Sequence, residues 1–379
     1  MNPEELNDTL RLLRESIRRF VEKEIVPRGH AWEEQGFVPR EVLREMGKLG
    51  FLGLRYGEEF GGGAMDARAT ALLAEELGRS TFSGFAITVL VHTDMASPHL
   101  VNAGSKEQIA RYLPAIVAGE KITAVGVTEP DAGSDVKSIR TSARRDGDHF
   151  VLKGTKMFIT NGALADLYFV AAKTDPAGGS KGISMFIVEK GMKGFSVGRK
   201  LDKMGWRSSD TAELVFDDCR VPAANLLGEE HRGFYAIMRN FQNERIAIAA
   251  MAMGEAAKAL EITLEYVRTR KAFGAPLWDK QVIRQRLSML AAKVEAGRQL
   301  VNHAASMDAQ GLDCVREVSM AKAYCAETLN EVVYDCLQFH GGFGYIKESA
   351  IERMYRDARV QTIGGGATEV MLEEVAKRL

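Results

Sequence analysis

The sequence predicts a multidomain α+β protein in three consecutive parts: an N-terminal helical domain over residues 1–121, a central antiparallel β-barrel or sandwich over 122–228, and a C-terminal helical bundle over 229–379. Two observations carry this reading. Apolar residues recur every three or four positions up to about Lys121, then form short runs split by turn residues, then regain helical spacing after Gly228. The length, 379 residues, exceeds what one core comfortably organises and points to two or three domains.

In the first part Leu6, Leu10, Leu13, Ile17 and Phe20 mark one face of a helix that Pro27 ends. A second helix runs from Pro39 through Met46 and a third from Ala67 to Leu77. The glycines after Phe60 follow no strand and lack dinucleotide-loop spacing, so they read as a flexible turn. Ser105, followed by Glu107 and Gln108, opens a further short helix, in which Pro114 fits only if the turn rearranges.

The middle part offers apolar runs beginning at Ile122, His149, Leu167, Ile183 and Thr211. Asp146-Gly147-Asp148, the stretch from Asp175 to Gly179, and Lys193-Gly194 suit turns between antiparallel strands. In the third part helical spacing covers about Gly233 to Arg270, Gln281 to Gln310, Val315 to Gln338 and the residues after Thr368. Long helices joined by short glycine-containing loops imply an up-down bundle.

Composition narrows function. Lys plus Arg total 50 against 51 Asp plus Glu, so no global field exists to grip nucleic acid or an anionic membrane. No apolar run reaches the length of a membrane span, and the first twenty residues lack the apolar segment of a secretory signal. Cys314, Cys325 and Cys336 are spaced by eleven, about 16 Å per step on a helix, too far for a disulfide or a shared metal. With Cys219 they read as buried thiols in a reducing compartment, and the cytoplasm is the expected location. The seven histidines include no metal-site spacing, so no metal is expected.

Six motifs carry more. They are VTEPDAGSD from Val127, KMFITNG from Lys156, LDKMGWRSSDT from Leu201, YVRTRKAFG from Tyr266, QFHGGFGY from Gln338 and RDARVQTIGGGATE from Arg356. In order and spacing they resemble the acyl-CoA dehydrogenase family over nearly the whole chain. That resemblance implies the family's fold, with a C-terminal four-helix bundle, and FAD-dependent formation of a trans double bond between the α and β carbons of an acyl-CoA thioester. It also implies a homotetramer built as a dimer of dimers and an electron-transfer flavoprotein as the electron acceptor.

By match to the family, Val127 and Thr128 contact the flavin pyrimidine edge, Phe158 lies against the ring with Ile159 beside it, and Thr160 bonds near N5. Arg270 is directed at the pyrophosphate of a neighbouring subunit's FAD, Phe273 lies near its adenosine half, and Gln338 to Gly342, including Gly341, wrap that half. Gln281, Ala367 and Glu369 complete the implied cofactor contacts. An arginine fork suits phosphate oxygens, and an aromatic face keeps water from a hydride path. Ala272 stands where many relatives place a threonine, which removes one hydroxyl anchor.

The reaction needs a base for the α proton, and a carboxylate is the natural one. Many relatives carry it near the C-terminus, where this chain has Gly364-Gly365-Gly366-Ala367, with Gly365 at the glutamate position. The isovaleryl-CoA and long-chain branches instead place glutamate before arginine on the first long bundle helix, and Asn243-Glu244-Arg245 matches that place. Independently of family, Phe234, Ile237, Phe241, Ile248 and Met251 mark an apolar stripe on which Glu244 falls, and burial there would raise its pKa. Glu244 is therefore the expected base, with the Gly365 backbone N–H as a donor to the thioester oxygen. Gln242, Asn243 and Arg245 resemble the segment meeting the acyl-CoA, Ser134 the serine near the pantetheine, and Gly364 leaves room for methyl-branched chains. Two alternatives stay open: an acyl-CoA oxidase using dioxygen, and a non-catalytic acyl-CoA or flavin binding protein.

Overall fold

The computed structural model describes residues 3–379. Helix α1 (Pro3–Phe20) runs on into a wider turn at Val21–Ile25, burying Ile17, Phe20, Val21 and Ile25 as one stripe. Then come α2 (Gly29–Gln35), α3 (Arg40–Lys48), α4 (Ala67–Gly78), α5 (Ser83–Leu90), α6 (Ser97–Ala103) and α7 (Lys106–Val117). Asp66 caps α4 through its carboxylate, and α7 opens on a reciprocal pair in which Ser105 and Gln108 bond each other's backbone. Pro114 sits inside α7. Sequence periodicity misses α5 and α6 for a physical reason: every residue from Ser83 to Leu100 is buried, so no polar face alternates with an apolar one.

The middle part holds β1 (Thr123–Gly126), β2 (Ser142–Asp146), β3 (His149–Thr160), β4 (Leu167–Lys173), β5 (Ile183–Glu189), β6 (Phe195–Lys200), β7 (Thr211–Pro222) and β8 (Leu226–Leu227). They form one sheet in the order β6-β7-β3-β2-β4-β5-β8, with β1 on β4. One expectation is corrected, and one pair of alternatives is decided. The sheet is mixed, because β1 and β2 both run parallel to β4. It is also a sandwich and not a closed barrel: the path ends at β6, whose outer residues are exposed and cationic, and at the two-residue β8. The halves fold face to face, with Phe150 of β3 on Phe186 of β5 and Tyr168 of β4 on Phe195 of β6, ring centroids 5.0 and 4.7 Å apart.

Helix α8 (Gly233–Thr269) opens the C-terminal bundle and is followed by the short hairpin β9 (Lys271–Ala272) and β10 (Ala275–Pro276). Then come α9 (Gln281–Ala309), α10 (Val315–His340), α11 (Ala350–Ala358) and α12 (Thr368–Ala376). At 37 residues α8 spans about 55 Å, and everything from Asn243 to Ala256 on it is buried. One reason is a close crossing with α4. A Cβ on Gly254 would lie 1.9 Å from the Glu75 carbonyl oxygen, and one on Gly78 would lie 2.3 Å from that of Met251. Only glycines let these two backbones touch, and the contact locks the N-terminal helices against α8 about two to three turns beyond Glu244. All four cysteines are buried and free. Among the described residues no helix is long and apolar enough to cross a membrane, and no group of three His, Cys, Asp or Glu could hold a metal ion.

Candidate active site

Glu244 lies inside α8 and is 8% exposed. Asn240, one turn earlier, donates from Nδ2 to Glu244 Oε1 at 3.0 Å and to the Met95 carbonyl at 2.8 Å. Among the described residues Oε2 makes no hydrogen bond. Burial pushes the carboxyl up to about 7, against the Asn240 bond and the charge of Arg245, which both favour the ionised form. One turn further along α8 is Ile248, and a Cβ on Gly365 would lie 2.2 Å from its Cδ1. Glu244 and Gly365 are thus brought to the same stretch of helix from two separate segments. Gly365 is exposed at a φ of +62°, and its N–H has no partner among the described residues. Gly364 is less constrained, since an added Cβ would meet only ordinary contacts with Val360.

The neighbours of Glu244 divide. Arg245 is buried with Nε unpartnered, its guanidinium 5.6 Å from the Phe241 ring centroid and near Gly366. Gln242 faces a cleft of about 370 Å³. Asn243 also lines it, but its amide is taken up within the chain: Nδ2 donates to the Asp94 carbonyl at 2.7 Å, and Oδ1 accepts from Arg55 at 2.5 Å. Sequence periodicity gives no sign of Asn240, Asp94 or Arg55. Nor does it flag Lys322, whose buried ammonium bonds the Gly366 carbonyl and pins the glycine loop.

The predicted flavin-ring residues also converge. The β3 ladder shifts register between Lys156 and Ile159, and at that bulge Phe158 takes a φ of +60°. The Met157 N–H donates to the Thr128 carbonyl at 2.9 Å, which sets Val127 and Thr128 against Phe158, Ile159 and Thr160. Beneath them Lys156, fully buried, donates to the Val127 carbonyl at 3.1 Å and to Glu129 at 2.7 Å. Burial opposes both charges; in Glu129 the pairing outweighs it and holds the carboxyl low, while the Lys156 ammonium is pulled down to about 8. Glu129 also accepts from the Arg140 and Thr141 N–H groups, closing the loop that presents Ser134 to solvent.

Arg270, Phe273, Gln281, Gln338, Gly341 and Gly342 form a second group, around the far ends of α8 and α10. Tyr266 ties those ends, donating to the His340 carbonyl at 3.2 Å and stacking on the His340 ring at 4.3 Å. Arg270 is 26 residues beyond Glu244, about 39 Å along the helix. The side chains of Arg270, Gln281 and Gln338 have no hydrogen-bond or ion-pair partner among the described residues. Ala367 begins the last turn before α12, and Glu369 lies exposed on it.

These features fit FAD. Phe158 is 63% exposed and Phe273 97%, each on left-handed backbone that a phenylalanine rarely adopts. An added Cβ on Gly341 or Gly342 would meet nothing within 4 Å, leaving open backbone for a phosphate or nucleoside to approach.

The chain matches the models of the acyl-CoA dehydrogenase N-terminal, middle and C-terminal domains over residues 7–120, 124–219 and 231–379. It is 43% identical to the long-chain specific acyl-CoA dehydrogenase of Mus musculus, over 97% of this chain and 86% of that protein. It is 36% identical to the isovaleryl-CoA dehydrogenase of Pongo abelii, over 96% and 87%. The crystal structure of an acyl-CoA dehydrogenase from Geobacillus kaustophilus superposes with a TM-score of 0.95 at 39% identity, covering 100% of this chain and 98% of that one. Because the relatives span long-chain and isovaleryl enzymes, similarity selects the family and not one branch. The expected cytoplasmic location does not stand: the Mus musculus, Rattus norvegicus, Sus scrofa and Pongo abelii relatives are mitochondrial by name. The fold and these matches establish that the chain belongs to the acyl-CoA dehydrogenase family, as an FAD-binding oxidoreductase acting on CH–CH bonds.

Proposed function

We propose that the protein converts an acyl-CoA thioester to the trans-2-enoyl-CoA with Glu244 as base, and passes the electrons to an electron-transfer flavoprotein. The observation that carries this is the state of Glu244: a buried carboxyl held near neutrality, with one oxygen fixed by Asn240 and the other uncommitted. Such a group takes an α proton well once the thioester displaces water. The Gly365 N–H, unpartnered beside the same turn of α8, supplies a donor for the thioester oxygen as negative charge develops on it. Arg245 adds a nearby positive charge. When bound, FAD supplies the acceptor for the β hydride.

Val127, Thr128, Phe158, Ile159 and Thr160 hold the flavin ring. Arg270, Phe273, Gln281, Gln338, Gly341 and Gly342 reach the adenosine half from a neighbouring subunit, in a homotetramer arranged as a dimer of dimers, with Ala367 and Glu369 closing the site. The helical separation of about 39 Å between Glu244 and Arg270 supports this sharing. Ser134 and Gln242 accompany the CoA arm and acyl chain. The division at residues 121 and 228 belongs to the same reading, as does the isovaleryl and long-chain base position. Gly364 leaves width for methyl-branched chains, since an added Cβ there meets no tight contact.

Anaerobic addition of straight and branched acyl-CoAs to the purified holoenzyme tests the reading. Bleaching of the flavin absorbance with formation of enoyl-CoA is the expected result. Retention of an oxidised flavin with every thioester, despite binding, would contradict it.

A further inference from the structure

The cleft of about 370 Å³ is lined from α8 by Asn240, Gln242 and Asn243, and Asn240 joins it to Glu244 through its 3.0 Å bond to the carboxylate. Its walls are poorly suited to a plain hydrocarbon. Arg55, Asp94, Asn240, Gln242, Asn243 and Asp308 line it, with only a few aliphatic groups between them. Filling it with methylenes would strip water from these polar groups and return no hydrogen bond, a loss of the kind that sites use to reject apolar ligands.

Two wall groups lack partners. Asp94 is 5% exposed; Oδ1 accepts from the Thr70 hydroxyl at 2.9 Å, while buried Oδ2 has no hydrogen bond. Asn240 is 2% exposed, and with its amide nitrogen committed to Met95 and Glu244 its Oδ1 is likewise unsatisfied. Both orphans are acceptors, so the complementary ligand group is a donor. Charge narrows the choice. Arg55 pairs with Asp308 at 2.8 Å, and across the whole lining Arg55 and Arg239 balance Asp94 and Asp308. A wall with no formal excess favours neither a carboxylate nor an ammonium.

We infer, resting on the reading of Glu244 as base, that this cleft is a subsite for a hydroxyl group carried on the distal part of the acyl chain. The hydroxyl donates to Asp94 Oδ2 or Asn240 Oδ1, buried atoms that a turn of either side chain brings to the cleft, and Asp94 is the residue that discriminates hydroxylated from plain chains.

The test uses the holoenzyme and sets of CoA thioesters matched in length: saturated n-acyl, ω-hydroxyacyl and ω-carboxyacyl, over a range of lengths. Anaerobic stopped-flow flavin reduction gives the apparent second-order constant for each. At the best length the hydroxyacyl thioester is expected to exceed the n-acyl one by at least about tenfold, as a satisfied buried polar group allows. Asp94→Leu, which keeps the branched shape and removes the acceptor, is expected to reverse that order. Equal or faster reduction by n-acyl thioesters at every length overturns the inference on the unmodified protein alone, so it needs no variant to fold. A preference unchanged in D94L, or a preference for the carboxylate, also overturns it. Reduction by n-acyl chains in those cases leaves Glu244 chemistry standing, whereas no reduction by any thioester overturns the underlying reading as well.

Discussion

At the scale of single residues, Glu244 shows how burial sets chemistry. Its carboxyl is raised to about 7 first by desolvation, and the Asn240 amide limits the rise by favouring the charged form. As base it must be ionised, so kcat/KM should increase as pH rises through about 7. Asn240→Ala removes the bond to the carboxylate and should move that midpoint upward by roughly one pH unit; a pH profile that does not move would separate Asn240 from the base. Stability follows with a defined sign. A carboxyl raised from 4.5 to about 7 contributes stability that is complete below 4.5 and lost as pH rises through about 7. Glu244→Gln should therefore melt above the parent at pH 8, by the equivalent of on the order of 3 kcal/mol, with the gap closing toward pH 4.5. Thermal melts across that range supply the answer. Glu244 is legible in the sequence because it interrupts an apolar stripe. Asn240 and Asp94 are not, because in sequence a polar residue buried within a helix looks the same as one on its solvated face.

At the scale of elements, legibility follows periodicity. The strands starting at His149, Leu167 and Ile183 announce themselves through apolar runs, whereas β2, reading SARRD, and β6, reading FSVGRK, lie largely exposed and show little of that pattern. The α5–α6 region fails in the opposite way, being buried on every side. The meeting of α8 with the glycine loop is likewise tertiary information. Gly365 reads in sequence only as a lost carboxylate, yet its φ of +62° and the 2.2 Å approach to Ile248 Cδ1 show that a side chain there needs left-handed backbone and a displaced isoleucine tip. Gly365→Glu in the Glu244→Gln background should therefore remain inactive and lose about 1–2 kcal/mol from the left-handed backbone alone. Shortening Ile248 to Ala in that double variant is expected to restore measurable flavin reduction. Full rescue without the Ile248 change would show that the loop shifts freely and that the contact does not hold it.

At the scale of the whole molecule, two site groups about 39 Å apart along one helix make sense when chains share their cofactors. Arg270→Ala should lower FAD retention, and FAD should stabilise the assembly by linkage, about 2.7 kcal/mol at a hundredfold excess over Kd. Sedimentation velocity with and without added FAD checks this; a holo monomer stable on dilution would refute the sharing of sites. The three-part order is readable from changes in hydrophobic period, but the close α4–α8 crossing that packs the N-terminal helices on α8 depends on Gly78 and Gly254, which look unremarkable in the sequence.

The central claim is that Glu244 removes the α proton. Anaerobic stopped-flow reduction of FAD-loaded Glu244→Gln by the best acyl-CoA substrate tests it most directly, with FAD content and melting measured on the same sample. Loss of at least ~100-fold in the reduction rate, with cofactor and fold retained, is the predicted result. A rate within about threefold of the parent, far inside the ~100-fold loss expected on removing a general base, would mean that another group takes the proton.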